Sequence, residues 1–187
     1  MMKSILLAIG LYLSMGVSAA YAVTVEGVNI ADKAIVGEQA LVLNGAGVRT
    51  KFFFDIYIGA LYLAAKTQAA EQAISMKGSK RVLMHFLYGE VSKDKLVDGW
   101  TEGFEKNSRK NLSELQSRLN QFNNFFQDMK KGDEAIFDFS PSGVTTVTIN
   151  GKVVGSIEGA DFQKALLMVW LGKKPADHDL KDAMLGQ

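Results

Sequence analysis

From Val23 onward, apolar residues fall into two periods. "VTVEGVNI" and the region from Leu41 onward alternate apolar and polar positions, so both read as β-strands. Thr67 to Met76 reads as a short helix closed by Gly78, and "KRVLMHFLYGEV", rich in branched and aromatic side chains, as a further strand. Ser92 stands where an N-cap is expected, and Leu96, Trp100 and Phe104 follow at four-residue steps on one helical face. After a polar break at Asn107 to Asn111, Leu112, Leu115, Leu119, Phe122 and Phe126 form the apolar stripe of a second helix, a core-packing pattern. "DEAIFDFSP" and "GVTTVTINGKVVGSI" return to strands, with Asn150-Gly151 as a hairpin turn because both residues accept positive φ. Asp161 is expected to cap a third helix, Phe162 to Leu171, ended by Gly172 and Pro175, and a terminal helix is expected from Asp177 to Leu185. Strands, then helices, strands and helix predict an α+β fold: an antiparallel sheet with helices packed on one face.

The first two dozen residues follow a different rule. "MMKSILLAIGLYLSMGVSAAYA" combines Lys3, an apolar run from Ile5 to Val17 and an Ala20-Tyr21-Ala22 cleavage pattern, the signature of a secretory signal peptide over residues 1–22. The run is shorter than the roughly 20 residues that span a bilayer, so no transmembrane segment is expected after cleavage. Residues 23–187 are then one domain, without linkers or repeats. Without Lys3, the 21 basic residues become 20 against 20 acidic ones; this neutrality argues against a nucleic-acid partner. There is no cysteine and only His85 and His178, so stability must come from packing, and neither a metal site nor a cofactor is expected. His85 sits mid-strand as a structural histidine, and His178 lies in a polar segment facing solvent. No nucleophile motif is present, and "NGAGVR" lacks the pattern of a phosphate loop.

Charges interrupt the apolar pattern in "LNGAGVRTKFFFDIYIGALYL", Leu43 to Leu63. Read as one strand from Arg49, the pleat puts Arg49, Lys51, Phe53, Asp55 and Tyr57 on one face and Phe52, Phe54, Ile56 and Ile58 on an apolar core face. The charged face suits either solvent or a lined cleft. In the second case Arg49 and Tyr57 clamp the anionic head of a ligand, since a guanidinium grips a carboxylate by two parallel hydrogen bonds and a phenol adds another. Lys51 and Phe53 share that face as further ligand-lining residues, with Lys51 and Asp55 close enough to form a local ion pair.

The order of "VEGVNI", "VGEQALVLNG", the Gly45-x-Gly47-Val48-Arg49 segment leading into the tyrosine-bearing strand, "DGWTEGFEKN", the Asn150-Gly151 hairpin and the terminal W-L-G-x-x-P resembles the chalcone isomerase fold, specifically its bacterial secreted members. The resemblance implies an open-faced antiparallel sheet with a layer of helices and a ligand cleft between them. The family includes plant enzymes that close a flavanone ring and non-catalytic relatives that bind fatty acids. In both, an arginine matching Arg49 contacts an anionic ligand oxygen; in the fatty-acid binders a tyrosine matching Tyr57 joins it. A catalytic tyrosine of the enzymes has no counterpart in "EKNSRKNL", nor is there a threonine near Tyr57. The expectation is an exported, periplasmic, non-catalytic protein holding a small amphipathic anion such as a fatty acid. The alternatives are an isomerase or intramolecular lyase acting on a phenolic enone, and an envelope interaction module without a ligand.

Overall fold

Three tight turns with positive φ at both central residues organise the strands: Glu26-Gly27 (46° and 76°), Phe52-Phe53 (50° and 68°) and Asn150-Gly151 (48° and 78°). This is the signature of hairpin turns whose twist matches that of the strands they join. In the computed structural model, which describes residues 22–187, the first turn joins β1 (Ala22–Val25) to β2 (Val28–Ala31). "VTVEGVNI" is therefore a hairpin rather than one strand, because alternation continues through a two-residue turn. The signal-peptide reading, except for Ala22, concerns residues outside those described.

β3 (Lys33–Val36), β4 (Gln39–Lys51) and β5 (Phe54–Leu63) follow. The expected single strand from Arg49 to Leu63 is thus divided by the Phe52-Phe53 turn, with Lys51 paired to Phe54. Sequence alone gave no turn signal there, since Asn and Gly, not Phe, are the usual occupants. After α1 (Ala70–Ser75) come β6 (Lys80–Phe86) and β7 (Glu90–Val91). α2 (Lys93–Ser108) is capped by Ser92, whose hydroxyl accepts from Lys95 N. A 3₁₀ turn (Arg109–Asn111) leads to α3 (Leu112–Asn123), β8 (Met129–Lys130), β9 (Glu134–Phe139), β10 (Val144–Ile149) and β11 (Lys152–Glu158).

The chain ends with α4 (Ala160–Leu171) and α5 (His178–Met184). Asp161 does not cap α4: Gly159, with φ 120°, holds the N-cap position. The Asp161 carboxylate instead takes both guanidinium nitrogens of Arg118 at 2.7 and 2.6 Å, tying α3 to the start of α4.

The main sheet is antiparallel, seven-stranded and ordered β11-β10-β9-β6-β5-β4-β3. Alternation along β5 and β6 divides the interior. Tyr57, Leu61, Leu63, Val82, Met84 and Phe86 face the helices, whereas Ile58, Ala60, Tyr62 and Leu83 form a smaller cluster with Ile30 of β2. The Tyr62 hydroxyl donates to Ala31 O at 3.0 Å and pins the β1–β2 hairpin over that second face. Trp100 centres the larger core, with ring centroids 5.5 to 5.6 Å from Phe122, Phe126, Phe137 and Trp170. The pairs with Phe122, Phe137 and Trp170 are edge-on and that with Phe126 is tilted; aromatic pairs of this kind add about 0.5–1.5 kcal/mol each beyond the area they bury.

Two β-bulges shape the β4–β5 pair. The register shifts between Leu43 and Gly45, making Asn44 the extra residue of β4. Its buried amide donates to Thr67 O at 3.0 Å and Met184 O at 2.8 Å and accepts from Thr67 N at 2.7 Å, joining the sheet to α5. The second shift lies beside Arg49 and leaves Ile56 unpaired on β5. Beyond Asn44, Gly45 and Gly47 lie under α5: an added Cβ would collide with the Ala183 carbonyl at the first and the Ala183 methyl at the second. The Gly-x-Gly segment therefore lets a helix rest directly on the sheet.

Candidate functional site

The Ile56 bulge determines which side chain stands opposite Arg49. The tight turn pairs Lys51 with Phe54 and Thr50 with Asp55; without the extra residue, Arg49 would face Ile56, but the bulge moves Tyr57 into that place. Bulges re-aim side chains in this way near functional sites. Arg49 and Tyr57 are thus directly opposed cross-strand partners, not residues eight apart on one strand. They still share a face, because opposed residues of antiparallel strands point to the same side.

On that face the sheet and helices part into a cleft of about 430 Å³, bounded by the ends of β4 to β6, α2 and the segment joining α4 to α5. Phe54, Ile56, Met84, Leu96, Trp100 and Val169 supply apolar wall. On α2, Gly99 lines the cleft and has no atom within 4 Å of where its Cβ would be. A glycine inside a helix costs about 1 kcal/mol relative to alanine, and here it leaves open volume. Gly103, one turn later, does the opposite: its missing Cβ would stand 2.9 Å from the Val169 methyls, so it serves helix packing.

The polar end is built around Tyr57, which is buried and accepts a hydrogen bond from Trp170 Nε1 at 3.0 Å. No protein group among the described residues accepts the phenol's own proton. Burial raises its pKa above the ordinary value; the charge of Arg49 and the Trp170 N–H oppose that rise, and Asp177 adds to it. At neutral pH Tyr57 is therefore an un-ionised donor, polarised by the indole N–H it accepts. The Arg49 guanidinium carbon lies 5.8 Å from the Tyr57 ring centroid, a cation–π approach. Arg49 forms no ion pair or side-chain hydrogen bond with another described residue. Trp100, also lining the cleft, has a buried indole N–H without an acceptor. An unmatched cation beside an available phenolic proton in an apolar cleft suits an anionic head with an apolar tail.

The model of the chalcone isomerase-like family matches residues 22–186. The chain belongs to the chalcone isomerase-like family. No curated protein matches its sequence significantly. Among solved structures, an Arabidopsis thaliana fatty-acid binding protein is similar with a TM-score of 0.68 and 16% identity, covering 88% of this chain and 96% of that one; at this identity the likeness shows the fold.

In this chalcone isomerase-like protein the four anticipated ligand-lining residues occupy different settings. Arg49 and Tyr57 meet inside the cleft, and Lys51 stands at its exposed rim. Phe53 does not line it: the turn carries its side chain into solvent, 101% exposed. Phe52 and Phe54, expected in the core, are 79% and 55% exposed for the same reason. The expected Lys51–Asp55 pair is not formed. Asp55 accepts from Thr50 Oγ1 at 3.0 Å, and Lys51 Nζ lies 5.8 Å from the Phe52 ring centroid. His85 meets Glu134 through Nδ1 at 3.0 Å on β6, away from the cleft, while His178 is exposed.

Trp170, Gly99 and the rim cations Lys95, Lys106 and Lys174 were not anticipated. Trp100 was read only as part of a helical core stripe, and W-L-G-x-x-P only as a family segment. Asn107 also closes the site, donating to Lys174 O at 2.8 Å and accepting from Lys174 N at 3.0 Å, which holds the α4–α5 connection against α2. Among the described residues, no cluster of three or more His, Cys, Asp or Glu side chains could hold a metal, and no helix is long and apolar enough to cross a membrane.

Proposed function

We propose that the protein is an exported, non-catalytic carrier of a small amphipathic anion of the fatty-acid class. Arg49 and Tyr57 hold the head, and the apolar walls between sheet and α2 take the tail. The observation that carries this reading is the Arg49 guanidinium, which forms no ion pair among the described residues, beside an un-ionised Tyr57 whose proton has no acceptor among them. Burying a twelve-carbon tail at about 0.8 kcal/mol per CH₂ offers close to 10 kcal/mol before the costs of association, so affinity should rise with chain length while the head fixes orientation. The fatty-acid binding of the Arabidopsis thaliana neighbour supports the same ligand class.

The non-catalytic reading rests on chemistry. The cleft contains neither histidine nor cysteine, and its buried phenol keeps its proton at neutral pH. The segment "EKNSRKNL" supplies no second tyrosine. The leader-like residues 1–22 are what supports the reading of export to the periplasm. Native mass spectrometry of protein purified from its own host should find a bound long-chain acid. Protein reproducibly free of ligand and without affinity for dodecanoate would refute the reading. Turnover of a phenolic enone, lost in Arg49→Ala, would replace it with the isomerase alternative.

A further inference from the structure

The β4–β5 turn combines three features that otherwise occur apart. Phe52, Phe53 and Phe54 are consecutive and exposed, whereas the other exposed large apolar residues among those described, Val23, Ile35 and Val153, lie singly on separate strands. Phe52 and Phe53 have φ of 50° and 68°, a region that L side chains enter at a steric penalty. The same chain uses Glu-Gly and Asn-Gly for its other two turns with positive φ at both central residues, and Gly37-Glu38 for the tight turn between β3 and β4. Two aromatics thus occupy a strained turn and expose apolar surface to water, although a less strained and more polar turn would close the hairpin.

The third feature is location. Phe52 and Phe54 belong to the mouth of the cleft, so the exposed aromatics and the proposed lipid site are continuous. Arg49, Lys51, Lys95, Lys106 and Lys174 border that cleft against Glu90, Asp98 and Glu102, five cations to three carboxylates. In a domain with 20 basic and 20 acidic residues after Val23, this local excess of two positive charges borders the cleft that Phe52 and Phe54 also line. Aromatic side chains settle at the membrane–water interface, and basic groups near them are drawn to anionic headgroups.

We infer that the Phe52-Phe53-Phe54 tip docks the protein onto an anionic phospholipid bilayer, with the rings in the interface, the rim lysines on headgroups and the cleft mouth open toward the lipid for ligand exchange. This rests on the amphipathic-anion reading, because the tip would have no reason to adjoin the cleft without such a ligand. Phe53 separates the two functions, being fully exposed and outside the cleft.

The test is flotation of the full chain with phosphatidylcholine vesicles containing about 30 mol % phosphatidylglycerol, a composition that supplies the anionic surface. The wild type should bind these vesicles and bind pure phosphatidylcholine more weakly. Phe53→Gly relieves the positive φ and should reduce vesicle binding about tenfold, as expected for losing one inserted aromatic side chain. Its affinity for dodecanoate in vesicle-free solution should be unchanged. In Phe53→Trp, emission from the introduced indole should shift to the blue when vesicles are added.

Absence of wild-type vesicle binding, undiminished binding by Phe53→Gly or an unshifted emission would each overturn the inference. So would a wild-type dimer that Phe53→Gly disperses without any vesicle binding, since a second copy would then be the tip's occupant. Vesicle binding sensitive to Phe53, without dodecanoate affinity in solution, would support docking while refuting the ligand reading.

Discussion

The β4–β5 pair meets the helical layer in two ways. Toward Asn44, Gly45, Gly47 and Gly59 bring the strands against α5, and even at Gly59 an added Cβ would stand only 3.0 Å from the Leu180 side chain. Toward Arg49, large residues line the strands, yet the helices stand off, and Gly99 of α2 borders empty volume. Small residues thus mark contact at one end and a void at the other; residue size alone does not distinguish packing from a binding site. What distinguishes them is whether the space left by the missing Cβ is filled.

The largest expected effect is at the contact end. Gly45→Ala should cost about 3 kcal/mol in urea unfolding, because the new methyl meets the backbone of α5, which cannot move without losing the Asn44–Met184 bond. A cost below about 0.5 kcal/mol, the size of an ordinary surface substitution, would contradict the close contact.

At the void end the same kind of change should act oppositely. Gly99→Leu removes a helical glycine and should raise stability by about 0.8 kcal/mol. By occupying space that would otherwise hold about three methylenes, it should weaken dodecanoate binding by about 2.4 kcal/mol. Titration calorimetry beside a melting curve reads both; a stabilised variant with intact binding would show that the tail lies elsewhere.

Smaller effects sharpen the polar end. Tyr57→Phe should weaken carboxylate binding by about 1.5 kcal/mol, the worth of a hydrogen bond to a charged group. Trp170→Phe should have a weaker effect, since its N–H acts only through the phenol it holds. Equal losses in the two variants would instead point to direct contact between Trp170 and the ligand.

The smallest expected change is with pH. Because burial raises the Tyr57 pKa, dodecanoate affinity should be level between about pH 6 and 9, well above the ordinary carboxyl range near 4 and below ordinary tyrosine ionisation near 10. A fall across that window would show that the phenol ionises. The same sign governs stability. Tyr57 and Tyr62 both hold their protons more tightly when folded, so their contribution is complete below about pH 10 and is lost as pH rises, for Tyr62 through about 12.

How much of this could be read from sequence follows from which signals are local. Hairpin glycines, the Ser92 cap and the apolar stripes of α2 and α3 act within a few residues, and the α+β sheet-and-helix order followed from them. The Arg49–Tyr57 pairing was anticipated through the wrong geometry. A one-strand reading put both on one face, whereas a turn followed by a bulge at Ile56 produces the same result, and neither leaves a signal in alternation. Phe52 and Phe53 concealed the turn because hydrophobicity was read as burial. Trp170 could not be linked to Tyr57 from pattern, since 113 residues separate them and only tertiary packing joins their side chains.

The central claim, that Arg49 recognises an anionic head in an apolar cleft, is tested most directly by calorimetric comparison of dodecanoate with dodecanol. Their tails match and their heads differ in charge. The wild type should prefer the carboxylate by about thirtyfold, close to 2 kcal/mol for charge-assisted hydrogen bonds. In Arg49→Met that preference should disappear while dodecanol affinity stays the same. A wild type indifferent to the head, or a preference that survives the substitution, would contradict it.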